Sequence, residues 1–258
     1  MDSRGRPAGL AGTARSARTA IVWELLSVAL TEMATDRPLV VVDAGGGTGG
    51  FAVPLAQAGH QVTVVDPTPD SLAALQRRAS EQGLAVEALQ GDLTDLPALV
   101  AGGSADLVLC HSVLELVDDP AAALLAVAAT LRPGGRLSLL VANRDAVVLA
   151  RALAGHPDEA AHVLTDPAGR WGAADGTARR WTPAAITALV EAAGLTLEQL
   201  HGVRAVSDLV PSAQLDAEPG AAAALLSLER ALSGTSPFRE LATQLHLLAR
   251  KPPNPQKP

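Results

Sequence analysis

The sequence has few of the features that mark secreted, membrane-bound or disulfide-stabilised proteins. Cys110 is its only cysteine, which excludes an internal disulfide and a cysteine metal cluster. No apolar run reaches the roughly 18 residues of a membrane span, and the Arg-rich start lacks the apolar stretch of a secretory signal. We therefore predict a cytoplasmic protein with no metal and no membrane partner, with a transit peptide as the alternative for residues 1–20.

Lysine is also nearly absent, and the charge balance is negative. Lys251 and Lys257 are the only lysines, and the formal net charge of the 258 residues is −7. This balance argues against binding nucleic acid through bulk electrostatics, although a local basic patch stays open. The basic residues that remain are arginines, which grip a carboxylate or phosphate with two parallel hydrogen bonds.

Short β-branched runs alternate with helical patterns from Leu39 onward, which predicts βαβ units and a mostly parallel sheet. The predicted fold is therefore α/β and Rossmann-like, with seven strands of which the last is antiparallel. The predicted strands are 39–44, 61–65, 86–90, 105–110, 136–142, 196–205 and 241–249. The main predicted helices are 21–33, 51–58, 69–82, 120–131, 146–154, 183–194 and 221–232.

After the fifth predicted strand the regular alternation stops for about 35 residues, a length at which an insertion is usually functional. We interpret this insertion as a lid. The chain then divides into a flexible N-terminus with a cap helix (1–37), a cofactor-binding core (38–145), the lid insertion (146–181), the second half of the core (182–251) and a disordered tail (252–258). The cap helix is expected to lie over the carboxyl edge of the sheet.

A glycine-rich segment, Asp43-Ala-Gly-Gly-Gly-Thr-Gly-Gly50, follows the first predicted strand and opens a helix. Such a turn lets the backbone approach a nucleotide-like ligand closely, and the spacing of Gly45, Gly47 and Gly50 also satisfies the dinucleotide pattern. Asp43 argues against a dinucleotide, because its charge would repel a pyrophosphate but suit an ammonium and a sulfonium. The alternative role for Asp43 is that of a helix-dipole partner.

Polar residues also follow three later strands. Asp66 ends the second strand, where a carboxylate can bind both ribose hydroxyls. Gly91-Asp92 closes the third strand, where Asp92 either accepts from an adenine amino group or caps the next short helix. His111 ends the fourth strand, at the edge where open α/β sheets bind ligands, with a packing role as the alternative.

Taken in order, the glycine-rich segment from Asp43, Asp66, Gly91-Asp92 and Leu131-Arg-Pro-Gly-Gly135 resemble the motifs of class I S-adenosylmethionine-dependent methyltransferases. The resemblance implies the class I methyltransferase fold, methyl transfer as the activity and S-adenosylmethionine as the cofactor. It adds Gly46 and Gly47, with Asp43 and Gly45, to the predicted cofactor-binding residues.

A narrower resemblance is to the bacterial tRNA 5-carboxymethoxyuridine methyltransferases, which esterify a carboxylate on a uridine. Its segments are Arg18-Thr-Ala-Ile-Val-Trp23, Asp43-Ala-Gly-Gly-Gly47, Gly59-His-Gln-Val62, His111-Ser-Val-Leu-Glu115, Leu131-Arg-Pro-Gly-Gly135, Leu137-Ser-Leu139, Asn143, Ala154-Gly155, Gly202-Val-Arg204 and Ala249-Arg-Lys-Pro252. It implies tRNA as the partner, and cofactor contacts from Arg18, Gly45, Gly46, Asp66, Gly91, Asp92 and His111. A lysine run of that family is missing from the lid.

Methyl transfer from a sulfonium is an in-line displacement, in which the protein chiefly aligns the reactants and excludes water. A carboxylate acceptor is already ionised near neutral pH and needs no strong base. No catalytic residue is therefore predicted, and the candidates to orient the acceptor are Arg18, Arg144, Arg151 and Arg204, each of which could instead be a solvated surface arginine.

The acceptor itself stays open between tRNA and a small molecule, and a non-catalytic cofactor-binding partner is a third alternative. Trp171 and Trp181 lie beside Arg170, Arg179 and Arg180 in the predicted lid, a composition that suits stacking on unpaired RNA bases. The alternative is that both tryptophans anchor the lid to the core. The sequence does not reveal the oligomeric state.

Overall fold

The computed structural model describes residues 17–211, 215 and 219–253, and these residues contain a single seven-stranded sheet. Part of the predicted flexible start (1–16) and part of the predicted disordered tail (254–258) lie outside this range. The strands are β1 Val40–Ala44, β2 Gln61–Asp66, β3 Glu87–Gln90, β4 Ala105–His111, β5 Leu131–Ala142, β6 Thr196–Val203 and β7 Gln244–Arg250.

Capping side chains and first-turn prolines begin several helices. Asp119 caps α5 by accepting hydrogen bonds from the backbone N–H groups of Ala121 and Ala122, both at 3.0 Å. None of the helices in the described residues is long and apolar enough to cross a membrane. The helices are α1 Ala17–Glu32, α2 Ala52–Gln57, α3 Pro69–Glu81, α4 Leu96–Leu99, α5 Pro120–Thr130, α6 Arg144–Leu153, α7 Pro157–Thr165, α8 Pro183–Ala192, α9 Ala221–Ser233 and α10 Phe238–Leu241.

Several elements differ from those predicted. Strand β7 begins at Gln244 rather than at 241, because Phe238–Leu241 forms α10. Helix α6 begins at Arg144 rather than at 146, because the Asn143 side chain accepts from the backbone N–H of Asp145 and caps the helix earlier. Strand β5 begins at Leu131 rather than at 136, because Leu131 already pairs with Ala105 before regular pairing resumes. Helix α7 was not predicted at all, although Pro157 stands at its first turn.

The strand order is β3-β2-β1-β4-β5-β7-β6. β7 runs antiparallel to both of its neighbours, β5 and β6, and all other adjacent strands are parallel. The predicted seven-stranded, mostly parallel sheet with an antiparallel last strand is therefore confirmed. β1 and β4 are adjacent and parallel, so their carboxyl ends lie side by side. The glycine-rich turn after β1 and the loop after β4 consequently meet at one edge of the sheet.

Both faces of the sheet are buried, which explains why its strands are nearly continuous apolar runs. Side chains alternate between the faces, so Val41 packs with Trp23 and Leu26 of α1, whereas Val42 belongs to the cluster on the other face. Helix α1 thus covers the sheet on the same side as α2 and α3.

Candidate active site

The turn between β1 and α2 is built so that only glycine fits at its closest approaches. Gly45 has φ +79°, and a Cβ there would lie 2.3 Å from a methyl carbon of Val113. A Cβ on Gly46 would lie 2.6 Å from the Asp43 carboxyl carbon. The backbone therefore forms a tight cradle against Asp43 and the loop after β4, as the sequence predicted for a ligand-binding turn.

Asp43 lies under this turn and is only 3% exposed. Its Oδ2 atom is buried and has no hydrogen-bond partner among the described residues. Burial, helped by the negative charge of Asp66, raises the pKa of Asp43 to about 7. A buried carboxylate oxygen without a partner is costly, so this site suits a ligand that brings positive charge or a hydrogen-bond donor.

Asp66 is tied to the same turn from the end of β2. Its Oδ2 accepts from the backbone N–H of Gly47 at 2.9 Å, and its Oδ1 accepts from that of Thr68, also at 2.9 Å. Each carboxylate oxygen can accept a second hydrogen bond, so the side chain is held in place and still able to bind a pair of hydroxyls.

Asp92 caps the short 3₁₀ turn at Leu93–Asp95, as the alternative interpretation expected. Its Oδ1 accepts from the backbone N–H of Thr94 at 2.7 Å and of Asp95 at 3.3 Å. Hydrogen bonds from Thr94 lower the pKa of the exposed Asp92 carboxyl. All of these bonds use Oδ1, so capping leaves Oδ2 for the predicted ligand contact. Gly91 is crowded, because a Cβ there would lie 2.5 Å from Leu99.

His111 belongs to an aromatic and polar chain at the end of β4. Its ring packs edge-on against Phe51 at 4.6 Å between centroids, and Phe51 stacks on Trp23 of α1. Its Nε2 shares a hydrogen bond of 2.9 Å with the Ser138 hydroxyl. Burial lowers the pKa of His111 to about 4, so the ring is neutral near pH 7 and does not repel a cation.

A large cavity of about 750 Å³ adjoins this region and extends under α6. Ser112 and Arg204 both line it, and they are the only non-glycine residues in the described part of the chain with positive φ, at +57° and +62°. Such strained conformations cluster at functional sites. Most of the cavity wall is apolar and includes Ala146, Val147, Leu149, Ala150 and Leu153 of α6, with Phe238 and Leu241 of α10.

One loop connects the cavity to the glycine-rich turn. Val113 contacts Gly45 on one side, whereas its neighbours Ser112 and Glu115 line the cavity on the other. A ligand held on the glycine turn would therefore lie one loop away from a ligand in the cavity.

Glu115 is a cavity residue that the sequence did not single out. It is 6% exposed, and its Oε1 accepts from the backbone N–H of Ala142 at 2.6 Å. Its Oε2 is buried without a partner among the described residues, and burial raises the pKa of this carboxyl. The only earlier signal was its place at the end of the segment His111-Ser-Val-Leu-Glu115.

The four arginines that were predicted to orient the acceptor do not lie together in the structure. Arg204 lines the cavity and pairs with Asp208 at 2.6 Å. Arg144 donates to the carbonyl of Leu164, and Arg151 pairs with Glu159; neither lines the cavity. The side chain of Arg18 lies outside the described residues. Of the three arginines whose side chains are described, only Arg204 lines the cavity.

The predicted lid uses most of its aromatic and basic side chains internally. Trp181 is 7% exposed and packs in the core, and Trp171 lies under the guanidinium of Arg151 at 4.5 Å. Arg180 is buried against Asp175, with donor-to-acceptor distances of 2.6 and 2.9 Å. The anchoring alternative thus describes Trp181, and the base-stacking interpretation stays a prediction.

Two of the remaining lid arginines lie nearer the surface. Arg179 donates to the carbonyl of Val117 at 2.9 Å, and Arg170 pairs with Asp166 while half of its side chain stays exposed.

Comparison with known proteins shows the family to which the chain belongs. The family model described as a methyltransferase domain matches residues 42–139. A tRNA 5-carboxymethoxyuridine methyltransferase of Escherichia coli strain K12 is 31% identical over 246 residues, which cover 93% of this chain and 90% of that protein. The chain belongs to the S-adenosylmethionine-dependent methyltransferases. The predicted enzyme class and cofactor are thereby confirmed.

Other proteins similar to this methyltransferase are named for different reactions. A ubiquinone biosynthesis O-methyltransferase of Xanthomonas axonopodis pv. citri is 35% identical over 163 residues, 63% of this chain and 65% of that protein. The crystal structure of the magnesium protoporphyrin IX methyltransferase of Synechocystis with bound SAH matches with a TM-score of 0.56 at 19% identity, covering 91% of this chain and 82% of that one. The last likeness concerns the fold alone.

The glycine turn fits S-adenosylmethionine on its own chemistry. The orphaned Oδ2 of Asp43 can face the positive charge that the cofactor carries, and the cradle at Gly45 and Gly46 leaves no room for a side chain. Neutral His111 adds no repulsion. Within the described residues, no group of three or more His, Cys, Asp or Glu side chains is placed to hold a metal ion.

Proposed function

We propose that this methyltransferase transfers the methyl group to an oxygen atom of an acceptor that enters the cavity under α6. The observation that carries the proposal is the loop after β4, which contacts the glycine turn through Val113 and lines the cavity through Ser112. This loop would bring an acceptor in the cavity close to the cofactor on the glycine turn. In-line displacement requires such proximity.

In this proposal the glycine half of the site holds the cofactor. Asp66 would bind the ribose hydroxyls, Gly91 and Asp92 would border the adenine, and Asp43 with Gly45, Gly46 and Gly47 would border the methionine part. His111 would contact the cofactor as a neutral ring, and Arg18 is proposed to contact it from α1. When bound, S-adenosylmethionine supplies an electrophilic methyl group, so the chain's residues need only align the acceptor and exclude water.

The first candidate acceptor is the carboxylate of 5-carboxymethoxyuridine in tRNA. The similarity to the Escherichia coli enzyme over nearly the full length of both chains supports it. Arg204 supports it as well, because a guanidinium held in a strained backbone conformation at the cavity can orient a carboxylate. An ionised carboxylate needs no general base, so Arg204 would act by positioning.

The second candidate is an oxygen of a small molecule, and the cavity favours it. Its wall is mostly apolar, and both of its arginines, Arg180 and Arg204, are already paired with carboxylates. The net charge of −7 and the internally paired lid weaken the case for a polyanionic partner. The similarity to a ubiquinone biosynthesis O-methyltransferase supports an oxygen acceptor of this kind.

A methyl-transfer assay separates these candidates. The pure protein is incubated with S-adenosylmethionine carrying a labelled methyl group and with tRNA that contains 5-carboxymethoxyuridine, and matched tRNA with unmodified uridine is the control. Label that appears only in the modified tRNA, and that mild alkali releases as from an ester, supports the first candidate. No label in either tRNA together with transfer to a phenol or small carboxylic acid supports the second.

The absence of transfer to every oxygen acceptor, despite cofactor binding, would overturn the proposal in favour of a non-catalytic partner protein. We further propose that the enzyme works in the cytoplasm, since both candidate acceptors are available there.

A further inference from the structure

Among the residues that the structure describes, only one of the two carboxylate oxygens of Glu115 has a hydrogen-bond partner, although Glu115 lines a cavity whose wall is mainly apolar. Oε1 accepts from the backbone N–H of Ala142, whereas Oε2 is buried and has no hydrogen-bond partner in the described part of the chain. Natural proteins rarely leave a buried carboxylate oxygen unpaired, because desolvation without a partner is costly. Since Glu115 lines the cavity, an occupant of that cavity is the natural source of the missing donor.

The charged groups around Glu115 do not supply this donor. The positive charge of Arg180 opposes the rise in the pKa of Glu115 that burial causes. However, the Arg180 guanidinium donates to Asp175 and to the carbonyl of Gly169. The other donors near this carboxyl are the backbone N–H groups of Ala142 and of Glu115 itself. Ala142 bonds to Oε1, and Oε2 has no hydrogen-bond partner among the described residues.

We propose that Oε2 of Glu115 accepts a hydrogen bond from an O–H or N–H group of the methyl acceptor, which makes Glu115 a specificity-determining residue. The inference rests on the proposed function, because it assumes that the acceptor occupies the cavity. The ligand it describes has an apolar or planar body against α6 and one neutral donor near the loop after β4. A phenol hydroxyl and the imide N–H of a uracil ring both have this chemistry.

This assignment also states what the site rejects. A molecule whose only polar group is a carboxylate would place negative charge beside Glu115, and an ether would leave Oε2 unpaired. Both losses are of the kind that separates ligands strongly, since an unsatisfied buried partner costs more than a missing contact.

The test uses matched pairs of probes that differ by one methyl group on the donor. The full chain, saturated with S-adenosylhomocysteine, is titrated with phenol and with anisole, and separately with uridine and with N3-methyluridine, followed by ligand-observed NMR. We expect the donor-bearing member of one pair to bind about tenfold more tightly, the equivalent of one satisfied hydrogen bond. Preference in the phenol pair indicates a small phenolic acceptor, and preference in the uridine pair indicates a nucleoside.

The variant Glu115→Gln sharpens the result, because its carboxamide oxygen keeps the bond from Ala142 while its NH₂ group replaces Oε2. The variant thus has a hydrogen-bond donor in place of an acceptor. We therefore expect its preference for the unmethylated probe to disappear or reverse. Glu191→Gln, at an exposed position of α8, is the matched control and should keep it.

Three outcomes would overturn the inference: equal binding of the two members of both pairs, tighter binding of the methylated member by the unaltered protein, or no binding of any probe. Discrimination by the unaltered protein is decisive even if the substitution prevents folding. Methyl transfer is measured separately, so an enzyme that methylates an oxygen acceptor but treats the paired probes equally contradicts only this inference.

Discussion

The two halves of the active site are held together by different kinds of contact. The glycine half, residues 43–51 with Asp66, consists of backbone turns and N–H groups bonded to one carboxylate. The cavity half draws its polar side chains from positions as distant as Ser112, Arg180 and Gln244. The first half therefore offers a ligand mainly backbone geometry, whereas the second offers side chains from several elements.

The largest effect is expected in the cavity half, at the ion pair between Arg180 and Asp175. Both side chains are less than 10% exposed, at 9% and 2%. Arg180→Ala removes the cation from the buried Asp175 carboxylate, which keeps only the backbone N–H groups of Trp171 and Thr177 as partners. Removing one partner of a buried ion pair typically costs about 3 to 5 kcal/mol of unfolding free energy. Arg170→Ala is the control, since its pair with Asp166 is half exposed and worth no more than about 1 kcal/mol.

Denaturant unfolding of both variants measures the difference. If both variants lose equally little unfolding free energy, the ion pair between Arg180 and Asp175 does not hold the cavity wall in place. The cavity half would then not depend on buried side-chain pairs.

The next effect belongs to the glycine half. Asp66→Ala removes the proposed bonds to two ribose hydroxyls, at about 1 to 2 kcal/mol each, so we expect the affinity for S-adenosylhomocysteine to fall by about 2 to 4 kcal/mol. Asp70→Ala, in the exposed first turn of α3, should change nothing. Calorimetry on the folded variants measures both, and unchanged affinity in Asp66→Ala would remove Asp66 from the site.

A smaller difference is expected between two glycines of similar backbone conformation. Gly45 and Gly59 both have positive φ, at +79° and +92°, but only at Gly45 would a Cβ meet a neighbour, Val113. Alanine at either position is strained, and at Gly45 it adds overpacking of about 1 to 3 kcal/mol. Thermal unfolding should therefore show Gly45→Ala to be the less stable variant, and the reverse order would show that the cradle is loose.

The last effect is a gradual one, a pH dependence in the glycine half. The pKa of Asp43 is raised from 3.8 to about 7, so the unliganded protein should lose stability as the pH rises through that interval, because the folded state holds the proton longer. The affinity for cationic S-adenosylmethionine should change with pH in the opposite direction, because the cation is proposed to bind the ionised Asp43 carboxylate. This affinity should rise toward pH 7 and level off above, with a slope of at most about tenfold per pH unit.

Asp43→Asn should remove this slope while the protein stays folded. Equilibrium dialysis across the same pH range measures it, and a slope that persists in the variant would assign the titration to another group.

The same contrast explains what the sequence could predict. The glycine turn, Asp66 and Asp92 lie within a few residues of strand ends that alternating patterns reveal, so both their positions and their alternatives followed from local signals. The unpaired oxygen of Glu115 could not be predicted in this way. The Ala142 backbone that bonds the other carboxylate oxygen and the α6 residues that line the same cavity come from elsewhere in the chain.

The predictions for the arginines also depended on contacts between distant segments, which the sequence pattern does not show. Side-chain type suggested Arg144 and Arg151 as ligands for the acceptor, but tertiary packing gives them partners at Leu164 and Glu159. Helix α7, which carries both partners, was not predicted from the sequence pattern.

A crystal structure of the protein with S-adenosylhomocysteine tests the central claim most directly, namely that the cofactor site and the cavity meet at the loop after β4. We predict that both ribose hydroxyls lie within hydrogen-bonding distance of Asp66 and that the sulfur faces the cavity beside Ser112. A ligand bound away from the glycine turn, or one whose sulfur points away from the cavity, would contradict the account.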